Sequence, residues 1–264
     1  MLTRSCKTRY PIVLAHGLAV REGSGRGSYE PWGRVPAALR AHGAQVFLGG
    51  QDAWGSIESC AAQLACTVRR AMEQTGARRV NIIAHSKGGL EARYLISSMG
   101  WGRYVASLSM LSTPNRGSRV AETLLYARQG VALWAKGNDA YWRRHGDAAP
   151  DSLRAGEQLT PAYLAAFNRH NPDAACVYYQ SWGACLGSAR TDGAMMLTRG
   201  LFYPLHGESD GLVTPDSARW GVYRGTLAGV SHQQLVDAFR RDVPGLAPRR
   251  FYIHLVRELK ENGF

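Results

Sequence analysis

The sequence predicts an α/β fold, a mostly parallel sheet with helices on both faces, and two observations predict it. Strand and helix signals alternate through the first half of its 264 residues, and each segment is short and bounded by Gly, Pro or charge. A chain of this length with 45% hydrophobic residues can bury a substantial core, and α/β chains of this size often form one domain, so a single domain over 1–264 is expected.

The elements follow in order. Tyr10–Ala15 (YPIVLA) reads as a buried strand and Gln45–Leu48 as a second. Ile57–Thr75 reads as a helix, Val80–Ala84 as a strand, Leu90–Ser98 as a helix and Val105–Leu111 as a strand. Two glycine-rich turns, Arg21–Ser28 and Pro114–Ser118, are long enough to shape a cleft, and neither has P-loop spacing. From 119 to 170 the pattern becomes helical, with Leu124, Leu125, Val131, Leu133 and Trp134 beside Arg128 and Lys136. That segment reads either as a lid or cap insertion or as an ordinary core-packing one. Val177–Trp182 returns to strand composition, and Arg250–Leu259 ends the chain as an amphipathic helix with Phe251, Leu255, Val256 and Leu259 on one face.

The net charge of +12 raises the question of nucleic acid. The basic residues are scattered, their adjacent pairs fall mostly near helix ends, and no base-stacking aromatic stripe runs between them. A solvated basic surface is expected, with attraction to anionic lipid surfaces or substrates as the sharper reading and no nucleic-acid partner. The five cysteines form no CxxC pair or zinc-spaced cluster, and Cys176 and Cys185 are the pair that could close a disulfide. Met1–Arg9 is polar and basic without the apolar core of a secretory leader, and no apolar run approaches the ~20 residues that span a bilayer. The expectation is a cytoplasmic protein or a secreted form without its leader, with no transmembrane segment.

The chemistry centres on Ser86. Val80–Gly89 (VNIIAHSKGG) sets it on a sharp turn between a buried strand and a helix, with small residues at Ala84 and Gly88 where larger ones would collide across the bend. The turn places Ser86 at the amino end of a helix, where aligned amides favour developing negative charge, and the Lys87 N–H would be one oxyanion donor. After the first strand, His16-Gly17-Leu18 would present the second donor at Leu18, with His16 fixing that loop and His85 expected to point away from the cleft. An attacking hydroxyl needs a general base near neutrality, which imidazole supplies. His232, in GVSHQQ on a late loop, fits the chain order Ser, acid, His, whereas His42, His145 and His170 lie in surface segments. Asp210, in SDGLV, is the preferred acid to orient that imidazole, with Glu208 and Asp216 as alternatives.

TRYPIVLAHGL, VNIIAHSKGGLEARY, LSTPNRGS, SDGLV and GVSHQQLVD together resemble the bacterial true lipase family, the Pseudomonas, Burkholderia and Proteus type of triacylglycerol lipase, and its clostridial-type relatives still more. The resemblance runs from Thr8 almost to Phe264. It implies an α/β-hydrolase fold with a helical lid, Ser86, Asp210 and His232 as catalytic triad, and the Leu18 and Lys87 amides as oxyanion hole. Two departures stand out. The elbow begins with Ala84, and the family's calcium carboxylate position falls on Gln234, leaving Asp192 and Asp237 as nearby carboxylates that could hold an ion differently. No cofactor is expected. The implied function is serine carboxylic-ester hydrolysis, most specifically triacylglycerol lipase action at a lipid–water interface through an acyl-enzyme on Ser86. The competing readings are a short-chain carboxylesterase, thioesterase or polyester hydrolase of the same fold, and a non-catalytic basic binding module.

Overall fold

Six strands form one sheet in the order β2-β1-β3-β4-β5-β6, and every neighbouring pair is parallel. They are β1 (Ile12–Ala15), β2 (Val46–Leu48), β3 (Val80–His85), β4 (Val105–Leu111), β5 (Tyr178–Cys185) and β6 (Val222–Ala228). The structure is a computed structural model and describes residues 5–22, 31–126, 130–187 and 192–264. Most of the glycine-rich turn at 21–28 lies outside the described residues, as does Arg128 of the candidate cap.

The central strands β3 and β4 are buried along their whole length because both faces of the sheet are covered. Ile12 and Leu14 of β1 point to one face, where they meet Trp32, Leu39 and Tyr252; Val13 and Ala15 point to the other, against Ala61, Leu64 and Val68. Helices α1 (Val35–Ala41) and α10 (Pro248–Glu261) cover the first face, α2 (Ile57–Thr75) and α3 (Lys87–Ile96) the second. Each fully buried aliphatic side chain contributes on the order of 1.5–3 kcal/mol. The bounds of α2 are local in origin: the Ser56 hydroxyl accepts from the Ser59 N–H at its start, and Gly76 leaves it in the left-handed region at φ 69°.

Two insertions interrupt the alternation. Between β4 and β5 lie α4 (Arg119–Tyr126), α5 (Val131–Arg144), α6 (Ser152–Glu157) and α7 (Pro161–His170); between β5 and β6 lie α8 (Gly193–His206) and α9 (Pro215–Ala218). The first insertion divides in two. Leu159, Leu164 and Phe167, on and before α7, pack against Ile57 and Leu90 of the main body. Leu124, Leu133 and Trp134, on α4 and α5, are exposed. Strand β6 has no counterpart in the sequence reading, because it is an edge strand with alternately half-buried and exposed residues and with Arg224 and Gly225 inside it.

The suggested disulfide does not form. Cys176 lies two residues before β5 and Cys185 ends it, the strand between them spans on the order of 23 Å at ~3.3 Å per residue, and both are free thiols. Among the described residues, no helix is long and apolar enough to cross a membrane.

Candidate active site

The segments that the sequence singles out converge beyond the carboxyl ends of the strands, where open parallel sheets place their clefts. Ser86 follows β3 directly, Gly17 and Leu18 follow β1, Asp210 follows β5 after α8, and His232 follows β6. Ser86, Leu18 and His232 line one cavity of about 420 Å³.

Ser86 has φ 53° and ψ −131°, a backbone conformation that only a tightly held side-chain-bearing residue adopts. Its N–H donates to the Leu111 carbonyl at 3.0 Å, and the Gly89 N–H donates back to the Ser86 carbonyl at 3.1 Å, which pins the turn to β4 and starts α3. The small residues around it have specific reasons. A Cβ at Gly17 would stand 2.7 Å from the Ser86 Cβ, and one at Gly88 would collide with the His16 carbonyl oxygen. The first-strand loop and the first turn of α3 therefore press against each other across the serine. Among the described residues, no acceptor takes the Leu18 or the Lys87 backbone N–H.

His232 is 6% exposed, and its Nδ1 lies 2.7 Å from Asp210 Oδ2. The other carboxylate oxygen accepts the N–H groups of Leu212 at 3.0 Å and Val213 at 2.8 Å. The backbone joins the pair as well, through the His232 N–H to the Asp210 carbonyl at 2.9 Å. Two main-chain donors on the fully buried carboxylate, and a third on the carbonyl of the same residue, thus hold Asp210 against the imidazole. The alternative acids are elsewhere: Glu208 pairs with Arg199 and Asp216 with Arg219, both on the surface. Of the other imidazoles, His16 has both ring nitrogens on carbonyls, of Gly17 and Gln51, and so braces the first-strand loop. His42 contacts the Ser5 hydroxyl, and His145 and His170 contact carbonyls of their own helices.

His85 departs from the expectation that it points away. It lines the cavity, and its ring lies 4.4 Å from that of His232, centroid to centroid, with Trp32 edge-on behind it. Strand alternation alone would turn His85 to the side opposite Ala84, and that side is where the late histidine loop crosses. Burial, and then the neighbouring His232, hold its imidazole well below the ordinary value, so it stays neutral. The Lys87 side chain takes no part in the cleft. It is buried with Nζ 2.5 Å from Glu91 Oε1; burial pulls the ammonium down, and the facing carboxylate outweighs it, holding it above the usual lysine range.

The rest of the cavity is mainly apolar. Val120, Leu124, Leu125, Trp134 and Leu153 from the first insertion line it together with Val213. The fit of the two acidic residues to a cation can be tested directly. Asp192 gives one oxygen to the Met195 N–H and the other to the Ser231 hydroxyl, and both oxygens of Asp237 accept from Arg34. No group of three or more His, Cys, Asp or Glu among the described residues is arranged to hold a metal ion. The residues present do not fit a calcium ion.

No protein-family model matches the chain. It is 29% identical to a triacylglycerol lipase of Pseudomonas fragi, over 98% of this chain and 99% of that one. It is also 29% identical to triacylglycerol lipase 2 of Saccharomyces cerevisiae, over 89% of this chain and 74% of that one. The Staphylococcus hyicus lipase structure superposes with a TM-score of 0.74 at 14% identity, over 97% of both chains, a likeness of fold. The chain is a homologue of the bacterial triacylglycerol lipases, a serine ester hydrolase with the α/β-hydrolase fold.

Proposed function

We propose that Ser86 is the nucleophile, His232 its general base and Asp210 the carboxylate that orients the imidazole. The observation that carries this is the 2.7 Å Asp210–His232 contact delivered to the same cavity as a strained serine at a helix amino end. Asp210 fixes the tautomer with Nδ1 protonated, which leaves Nε2 free to take the hydroxyl proton as Ser86 attacks the acyl carbonyl. The Leu18 and Lys87 amides then donate to the oxyanion, a contribution on the order of 10²–10³ in rate per donor. Imidazolium returns its proton to the leaving alcohol, and water repeats the cycle on the acyl-enzyme.

The substrate proposed is a long-chain acylglycerol taken from a lipid–water interface. An apolar cavity of about 420 Å³ lies within the usual range for ligand sites and suits an alkyl chain better than a polar acyl group. Its outer wall continues into exposed Leu124, Leu133 and Trp134, an apolar rim that suits contact with lipid, and a net charge of +12 would draw the protein to anionic surfaces. On this reading α4 and α5 serve as the lid, while α7 belongs to the core.

Ser86→Ala is expected to abolish hydrolysis of p-nitrophenyl esters and fluorophosphonate labelling while leaving thermal unfolding unchanged. Retained turnover would remove Ser86 from the mechanism. Rates measured against acyl length, above and below substrate solubility, test the substrate: a preference for short soluble esters with no rise at the interface would replace the lipase by a carboxylesterase.

A further inference from the structure

We propose that a hydrogen-bonded strut, Asp192–Ser231–Gln234, positions the His232 loop without an ion, so that fold and activity are independent of calcium. The inference rests on the role proposed for His232. It starts from the disagreement between the calcium site that the family resemblance implies and the residues that stand there.

Asp192 caps the amino end of α8 and is 4% exposed. Its Oδ1 accepts the Met195 N–H at 3.2 Å and its Oδ2 accepts the Ser231 hydroxyl at 2.6 Å, a short bond of the charge-assisted kind. The same hydroxyl accepts the Gln234 N–H at 3.2 Å, while the Ser231 N–H donates to Gln234 Oε1 at 2.9 Å. Ser231 is fully buried, and its hydroxyl hydrogen and main-chain N–H are both committed inside the ring. His232 is the next residue. It is therefore held from two sides, by Asp210 through Nδ1 and the main chain, and by α8 through Ser231.

Calcium requires six to eight oxygens, several of them anionic. Gln234 adds no charge, each oxygen of Asp192 already accepts a hydrogen bond, and at Asp237 a guanidinium stands where a cation would bring positive charge. There Arg34 donates from Nε to Oδ2 at 2.8 Å and from Nη2 to Oδ1 at 2.7 Å. A hydroxyl and a guanidinium thus satisfy the two carboxylates. An ion would have to compete at Asp192 with the Ser231 hydroxyl and at Asp237 with the Arg34 guanidinium.

The test uses the full chain with p-nitrophenyl butyrate and thermal unfolding. The wild-type melting temperature and kcat should be the same in EGTA and in millimolar CaCl2; a rise with calcium, or a loss with chelator, would overturn the proposal. The melting arm does not depend on the role of His232, so it separates failure of the strut from failure of the triad. Ser231→Ala should lower kcat about 10- to 100-fold at nearly constant KM, because a histidine misplaced by about 1 Å loses rate before it loses binding. Asp192→Ala should do the same, and Asp192→Asn, which keeps an acceptor oxygen, should recover most of that loss. Wild-type kcat in Ser231→Ala, or no difference between the two Asp192 variants, would refute a positioning role.

Discussion

Gly17→Ala tests the proposed oxyanion loop with one methyl group. The new Cβ would stand 2.7 Å from Ser86 Cβ and 3.3 Å from its Oγ, where carbon atoms normally keep about 3.5–4.0 Å. About 1 Å must therefore be found between the loop after β1 and the turn after β3. The turn is bonded to Leu111 and continues into α3, so the loop and its Leu18 amide should yield. Loss of one oxyanion donor costs ~10²–10³ in kcat, about 2.7–4 kcal/mol of transition-state stabilisation, whereas overpacking costs about 1–3 kcal/mol of stability. Steady-state hydrolysis of p-nitrophenyl butyrate should accordingly show kcat down about 100-fold with KM little changed, and a melting temperature lower by a few degrees. Gly200→Ala is the control. It lies in α8 with nothing within 4 Å of the added Cβ, and it should be neutral for kcat and stabilise by about 0.4–1 kcal/mol. A Gly17→Ala enzyme with kcat within about threefold of wild type would refute the placement of the Leu18 amide in the chemistry.

Other expectations follow from the same geometry. Asp210→Asn keeps the shape but favours the wrong imidazole tautomer, and kcat should fall about 10⁴-fold with the fold intact; a fall under about tenfold would leave Asp210 without its role. Glu91→Ala strands the buried Lys87 ammonium and should destabilise by about 3–5 kcal/mol in urea unfolding. The double replacement Lys87→Met with Glu91→Leu should restore most of that stability and keep activity, because only the Lys87 backbone is proposed to act. Loss of activity in a well-folded double variant would place the side chain in the mechanism. His85 titrates near 6.5 in the unfolded chain and well below that when folded. Protons then favour the unfolded state once the pH drops below about 6.5, and the stability present above that pH is lost toward the folded value, at up to ~1.4 kcal/mol per pH unit. His85→Gln should flatten that part of the stability curve, and an unchanged slope would exclude His85 as its source.

The α/β class, the bounds of α2 and β4 to the residue, and the order of Ser86, Asp210 and His232 can all be read from the amino-acid chain. These were legible because each rests on local physics: a buried strand is a short apolar run, a helix carries its caps, and a tight turn needs small residues at fixed offsets. β6 was not legible, since an edge strand with one solvated face carries little hydrophobic signal, and its pairing with β5 supplies what its composition lacks. His85 was misread because the surface opposite Ala84 is formed by a loop almost 150 residues later. The separation of Cys176 from Cys185 likewise depended on how many strand residues lie between them.

That Asp210, rather than Glu208 or Asp216, meets His232, and that Asp192 and Asp237 are taken by Ser231 and Arg34, emerges from the folded chain. Which of several carboxylates is bonded to which donor depends on distances between segments remote in the chain. Local preference fixes a residue's conformation, but a hydrogen bond forms only when folding brings both partners to about 3 Å.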